Sequence, residues 1–150
     1  MDTKLIADIE IAPLKIIQHP LGDILHALKV SENSFKSFGE AYFSTVKKGK
    51  VKGWKKHSRM TLNIIVPVGA IRFVIRDGRE DSPTYGKFNE FILSKEDYRR
   101  LTVPPGIWMA FQGVNEGENL LLNLASIEHD PMESENEDIK NFEYSWNSVL

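Results

Sequence analysis

Residues 60–86, MTLNIIVPVGAIRFVIRDGREDSPTYG, hold two apolar, β-branched runs, Leu62–Val68 and Ala70–Ile75, separated only by Gly69. Val and Ile are stiff at χ1 and pack well on a pleated surface, so runs punctuated in this way predict strands joined by tight turns. The second run alternates: Ile71, Phe73 and Ile75 fall on one face, Arg72, Val74 and Arg76 on the other. A polar turn follows from Asp77 to Pro83. The expectation is a pair of core strands in an antiparallel β domain.

The flanking chain repeats this pattern. Phe88–Leu93 reads as a strand, and Ser94 is expected to cap a short helical turn, with Asp97 placed to bond back to the cap amide. Leu101–Val103 leads into the rigid turn Pro104-Pro105-Gly106. Ile107–Phe111 and Leu120–Ala125 then read as strands around a polar hairpin loop, Gly113–Asn119. Upstream, Glu40–Val46 reads as a strand, Lys47–Lys50 as a basic turn, and Val51–Trp54 as the start of another strand. Residues 1–30 hold short apolar pieces broken by Pro13, Pro20 and Gly22, which rules out one long helix. They are either edge strands of this sheet or strands donated to a partner subunit, and Leu21–Val30 has a helical turn as its other reading. Ser31–Gly39 is a loop. Beyond Asp130-Pro131 the chain turns acidic and poor in apolar residues, a surface segment or partly disordered tail, with Phe142, Tyr144 and Trp146 docking the terminus back. Short strands at intervals of roughly 8 to 12 residues point to an all-β sandwich or barrel.

Composition narrows the function classes. The 150 residues suit one domain, with 41% hydrophobic and 27% charged residues as in ordinary globular chains. A formal charge of −2 argues against a general nucleic-acid binder, which needs a basic field. The absence of cysteine excludes disulfides, thiol catalysis and thiolate metal sites. No apolar run approaches the roughly 18 residues that a membrane span needs. The early Asp2 and the lack of a long apolar stretch behind it do not read as a signal peptide, so a cytoplasmic protein is expected.

Several motifs in order resemble the dTDP-4-dehydrorhamnose 3,5-epimerase family. Val68-Gly69-Ala70-Ile71, Asp77, Arg79 and Ser82-Pro83-Thr84-Tyr85-Gly86 are similar to the family's V-G-x-V…D-x-R…S-P-T-F-G. Val51-Lys52-Gly53-Trp54 sits where the family has V-L-R-G-L-H. Val103-Pro104-Pro105-Gly106 with Phe111 resembles I-P-x-G-x-x-H-G-F, and Asp130-Pro131-Met132-Glu133 falls near Y-x-P-x-x-E, with Trp146 near the terminal I-x-W. The resemblance covers roughly residues 40–146 and implies a double-stranded β-helix, the cupin jelly-roll barrel. It would be a single domain over 1–150, with N-terminal strands and dimerisation in 1–39, the barrel in 40–131 and the acidic segment in 132–150. It also implies a homodimer acting on a nucleotide-diphosphate sugar without a cofactor.

The family abstracts a proton next to a carbonyl, using a His base oriented by a carboxylate and a Tyr acid across the sugar ring. Here Lys55 stands at the His position of R-G-L-H, Leu62 at the Lys of G-K-L-V and Met109 at the His of H-G-F. His57, two residues on, shares the strand face of residue 55, because side chains alternate with period two. A neutral imidazole suits a base; the other reading is a polar edge residue or phosphate contact. His129, between Glu128 and Asp130, is either a base with an orienting carboxylate or a hydrogen-bonded residue of an Asp-Pro turn. Facing each other across the barrel, His57 and His129 would supply acid and base. Lys52, at the family's Arg, together with Lys55 and Arg59, would hold the diphosphate. Trp54, Trp108, Phe111, Tyr42 and Ser44 either line the pocket or pack in the sheets. The four scattered histidines lack the spacing of a cupin metal site, so no metal is expected. The resulting expectation is an epimerase or isomerase of a 4-keto-6-deoxy nucleotide sugar in cell-surface polysaccharide synthesis. Its alternatives are a non-catalytic nucleotide-sugar-binding cupin and a small-molecule cupin unrelated to nucleotides.

Overall fold

The structure, a computed structural model, describes residues 4–146; the outermost residues of the two terminal segments, 1–3 and 147–150, lie outside that range. Strands run in the order β1 (Glu10–Pro13), β2 (Ile16–Ile17), β3 (Ile24–Leu25), β4 (Glu40–Thr45), β5 (Val51–His57), β6 (Leu62–Val68), β7 (Ala70–Asp77), β8 (Phe88–Ser94), β9 (Arg99–Val103), β10 (Ile107–Gly113), β11 (Leu120–Ala125) and β12 (Ser134–Asn136). Two five-stranded antiparallel sheets result, ordered β1-β9-β6-β11-β4 and β12-β5-β10-β7-β8, with β2 and β3 as a separate small ribbon. This is the jelly-roll barrel that the motif order implied.

The two runs around Gly69 are both strands, yet they do not pair with each other. β6 lies in one sheet and β7 in the other, so Gly69 is where the chain crosses between sheets. Its φ is +76°, and a Cβ there would stand 2.3 Å from the Glu118 carbonyl oxygen, so no other residue fits without movement. The crossing sends the inner faces of both strands into one core. Ile64 and Val66 of β6 meet Ile71, Phe73 and Ile75 of β7, all essentially sealed from solvent.

The opposite face of β7 is covered too, which alternation alone did not foretell. The docked residues Phe142, Tyr144 and Trp146 form a second apolar layer over Trp54, Val74, Trp108 and Ala110. Arg72 lies beneath that layer, 2% exposed, bonded through Nε and Nη2 to Glu90 at 2.8 and 3.1 Å and through Nη2 to the Tyr144 hydroxyl at 2.9 Å. A buried guanidinium with its charge matched and stacked on aromatics costs far less than an isolated one.

Two local expectations are corrected. Leu21–Val30 holds no helical turn; Ile24–Leu25 pairs with Ile16–Ile17 instead. Ser94 Oγ does accept from the Asp97 amide at 3.1 Å, but this closes a plain turn, and the Asp97 carboxylate bonds Arg99 at 2.8 Å rather than reaching back. Of the two readings left open for the N-terminal pieces, β1 takes the edge strand, pairing within its own chain along β9. The acidic C-terminal segment is also more ordered than its composition implied, because β12 adds to the edge of β5.

Candidate active site

Between the sheets lies a cavity of about 310 Å³, a volume suited to a sugar-sized group. β5 supplies much of its polar wall. Across from β10, Lys55 opposes Met109 and Gly53 opposes Ala110, so Trp54 is an extra residue in a bulge. Gly53 permits this: its φ is +129°, and a Cβ would come within 2.7 Å of Ala110. A bulge shifts the alternation by one residue. Lys52 therefore faces the cavity before the bulge, and Lys55 and His57 face it after. Lys56 points the other way, over the Trp108 ring and paired with Glu135 at 3.1 Å.

His57 is bonded through Nδ1 to Oε1 of Glu133, a carboxylate only 5% exposed. The second oxygen, Oε2, accepts from the backbone amides of Arg59 and Met60 at 3.1 and 3.2 Å. Burial by itself would raise the Glu133 pKa, but the hydrogen bond and charge of His57 and the two amides outweigh it and hold the carboxyl below the usual range. An ionised carboxylate only accepts, so Nδ1 carries the hydrogen, and in the neutral ring the lone pair is on Nε2. On the facing wall stand Tyr42 and Ser44 of β4 and Asn123 of β11. Asn123 Nδ2 donates to the Tyr42 oxygen at 3.0 Å, which leaves the phenolic hydrogen available. Leu62, Ile64, Met109, Phe111 and Leu121 make the rest apolar. Chemically, this sets an imidazole hydrogen-bonded to a carboxylate across a partly apolar pocket from a phenol.

The sequence-based candidates divide. His57, Lys52, Lys55, Trp54 and Tyr42 all line the cavity, with Trp54 fully buried and its Nε1 donating to the Ile139 carbonyl at 3.4 Å. His129 does not: it is exposed, and its backbone amide donates to Glu40 at 2.7 Å in the approach to Pro131. The facing pair His57–His129 is therefore corrected to His57–Glu133. Arg59 is turned to solvent and paired with Asp130 at 2.9 Å, because it lies past the end of β5. Trp108 packs on the outer face with Phe142, as the residue after Ile107 must in an alternating strand. Glu133, the partner of His57, was not among the sequence-based candidates. Its signal was present in the Asp130–Glu133 motif, but the side chain acquires its meaning only when β12 pairs with β5. Among the described residues, no three His, Cys, Asp or Glu side chains are grouped to hold a metal ion, and no helix is long and apolar enough to cross a membrane.

The model of the dTDP-4-dehydrorhamnose 3,5-epimerase family matches residues 25–145. A dTDP sugar isomerase structure from Desulfovibrio desulfuricans G20 is 36% identical, with a TM-score of 0.91 covering 97% of this chain and 94% of that one. A probable low-salt glycan biosynthesis epimerase of Haloferax volcanii is 26% identical over 120 residues, 79% of this chain and 77% of the relative. The fold is shared as well with a dTDP-6-deoxy-D-glucose-3,5-epimerase of Legionella pneumophila, whose structure is a complex with dTDP-4-keto-L-rhamnose. That chain is 21% identical, with a TM-score of 0.80 over 89% of this chain and 74% of that one.

Proposed function

This chain belongs to the dTDP-4-dehydrorhamnose 3,5-epimerase family, and we propose that it is an isomerase inverting a carbon next to the ketone of a 4-keto-6-deoxy nucleotide sugar. The observation that carries this reading is the His57–Glu133 pair at the wall of a sugar-sized cavity. Nε2 of His57 takes the proton from the carbon beside the ketone, and the electrons of that C–H bond move into an enolate. Glu133 keeps the ring oriented and stabilises the imidazolium as it forms. The Tyr42 phenol, on the opposite wall, returns a proton to the other face of the carbon, which inverts it. Exchange with solvent then resets both groups. Lys52, exposed at the rim with Nζ 3.3 Å from Ser44 Oγ, binds the diphosphate in this reading.

A probable low-salt glycan biosynthesis epimerase of Haloferax volcanii and a spore coat polysaccharide biosynthesis protein of Bacillus subtilis are relatives of this chain, which supports a role in glycan or polysaccharide synthesis. A homodimer is supported by the outer sheet face, where Phe43 is 64% and Val68 44% exposed beside the open edge of β4.

The test is solvent-deuterium exchange at the carbons flanking the ketone of a dTDP-4-keto-6-deoxy sugar, followed by NMR. Wild type exchanges, and H57N is slower by on the order of 10²–10⁴-fold. Binding without exchange from any 4-keto sugar would instead identify the non-catalytic binder. No rise in melting temperature with any nucleoside diphosphate would remove the nucleotide-sugar reading.

A further inference from the structure

The basic run on β5 ends in cations with different fates. Lys52 is exposed at the rim against Ser44, Lys56 is paired with Glu135 outside, and Arg59 is paired with Asp130. Lys55 is half-buried, lines the cavity, and has no hydrogen-bond or ion-pair partner among the described residues. Its cross-strand neighbours are Met109 on one side and Asn136 on the other, and the Glu137 carboxylate that also lines the cavity accepts from Asn141 Nδ2 instead. An ammonium is expensive to leave unpaired beside Leu62, Met109 and other apolar walls, and such a position makes sense where a ligand supplies the negative charge.

Lys55 and His57 are two residues apart on one strand, so they share a face with their Cα atoms roughly 6–7 Å apart. A ketone oxygen and the acidic hydrogen on the next carbon likewise sit side by side. We propose that Lys55 is a catalytic residue whose ammonium receives the ketone oxygen while His57 removes the neighbouring proton. This rests on the isomerase reading above. As the C–H pair moves to form the C=C bond, the carbonyl π pair goes to oxygen, and the Lys55 N–H donates to that oxyanion. No further reactant is needed. A charge fixed at the developing oxyanion in a water-poor site acts on the transition state more than on the bound sugar. Lys52 keeps the diphosphate, so the two lysines divide binding from chemistry across the Trp54 bulge.

The experiment compares wild type, K55M and K55R in solvent-deuterium exchange at saturating dTDP-4-keto-6-deoxy sugar, with dTDP affinity measured separately by calorimetry. K55M should slow exchange about 10²–10³-fold while dTDP affinity stays within about twofold, and K55R should recover part of the rate. Unchanged exchange with weakened dTDP binding would make Lys55 a diphosphate contact and overturn the proposal. Parallel loss of both, or no change in either, overturns it as well. If K55M does not fold, K55Q serves for the same comparison. Absence of exchange from wild type defeats the isomerase reading itself, a result distinct from a wild-type-like K55M.

Discussion

Asp77 closes β7, and Glu133 meets His57 at the close of β5, so two buried carboxylates flank the start of the same strand, β10. Both are held below the ordinary carboxylate range, in both cases against a burial effect that pushes upward. They differ in what is left over. Asp77 accepts from Arg79 Nε at 2.9 Å and from the Ser82 and Thr84 hydroxyls at 2.6 Å each. Arg79 then spends its remaining donors on Asp8 and the Ala7 carbonyl, both at 2.7 Å. Every group in this knot faces another group of the chain, and its product is architecture: it ties the N-terminal segment to the β7–β8 turn. Glu133 is just as fully bonded, but its partner is an imidazole that lines a cavity. A depressed carboxyl pKa therefore does not mark an active site by itself; a free valence facing open space does.

Breaking the knot gives the larger effect. D77A removes one side of a buried charge pair, and such losses cost about 3–5 kcal/mol. In a chain of this size that is roughly 6–20 °C in melting temperature. Denaturation should show this loss, whereas deuterium exchange per folded molecule, measured well below the melting point, should stay near wild type. A large fall in exchange with stability intact would erase the distinction between the two carboxylates.

The counterpart is E133Q. The amide still accepts from Nδ1, but it stabilises the imidazolium poorly and turns its NH2 toward the amides of Arg59 and Met60. Exchange should fall by about ten- to a hundredfold, or 1.4–2.7 kcal/mol in the barrier. The pH dependence sharpens the contrast. Because the folded Glu133 pKa is depressed, its stabilisation is complete above the ordinary glutamate value and drains away as pH falls through the lower folded value. Urea denaturation from neutral pH into that acid range should show this loss in wild type and less of it in E133Q.

This contrast also explains what was legible beforehand. Strands β4 to β8, β10 and β11 could be read from Leu62–Val68 and its neighbours because alternation and turn residues are local properties. The Asp77 knot was legible as a motif for the same reason, since Asp77, Arg79, Ser82 and Thr84 lie within eight residues. The spacing put His57 on the same strand face as residue 55 but did not say whether that face looks inward, and Glu133 was not matched to it. They are 76 residues apart and meet only because a short acidic segment, unpromising by composition, pairs as β12. Trp54 and Trp108 were indistinguishable as aromatic wall candidates. Both rings pack in the outer layer, and only Trp54 also reaches the cavity wall, at a bulge that depends on how closely Gly53 approaches Ala110 and leaves no sign in spacing.

The smallest effect is expected where a titrating group closes the second apolar layer. Tyr144 donates to Glu90 and accepts from Arg72, and burial followed by the Glu90 carboxylate pushes its pKa up to about 12. A raised folded pKa favours the neutral phenol, so its stabilisation is complete below the ordinary tyrosine value of about 10 and is lost as pH rises through 12. Y144F should cost about 1 kcal/mol near neutral pH, one hydrogen bond's worth. The stability gap between wild type and Y144F should then narrow as pH climbs above about 10, while lysines elsewhere titrate equally in both. Exchange at neutral pH should be unaffected, because Tyr144 packs on the outer face and Glu133 is held by β12 independently. Loss of exchange in Y144F would mean that the outer aromatic layer, through Trp54, positions the catalytic wall, and that the two faces of β5 act as one unit.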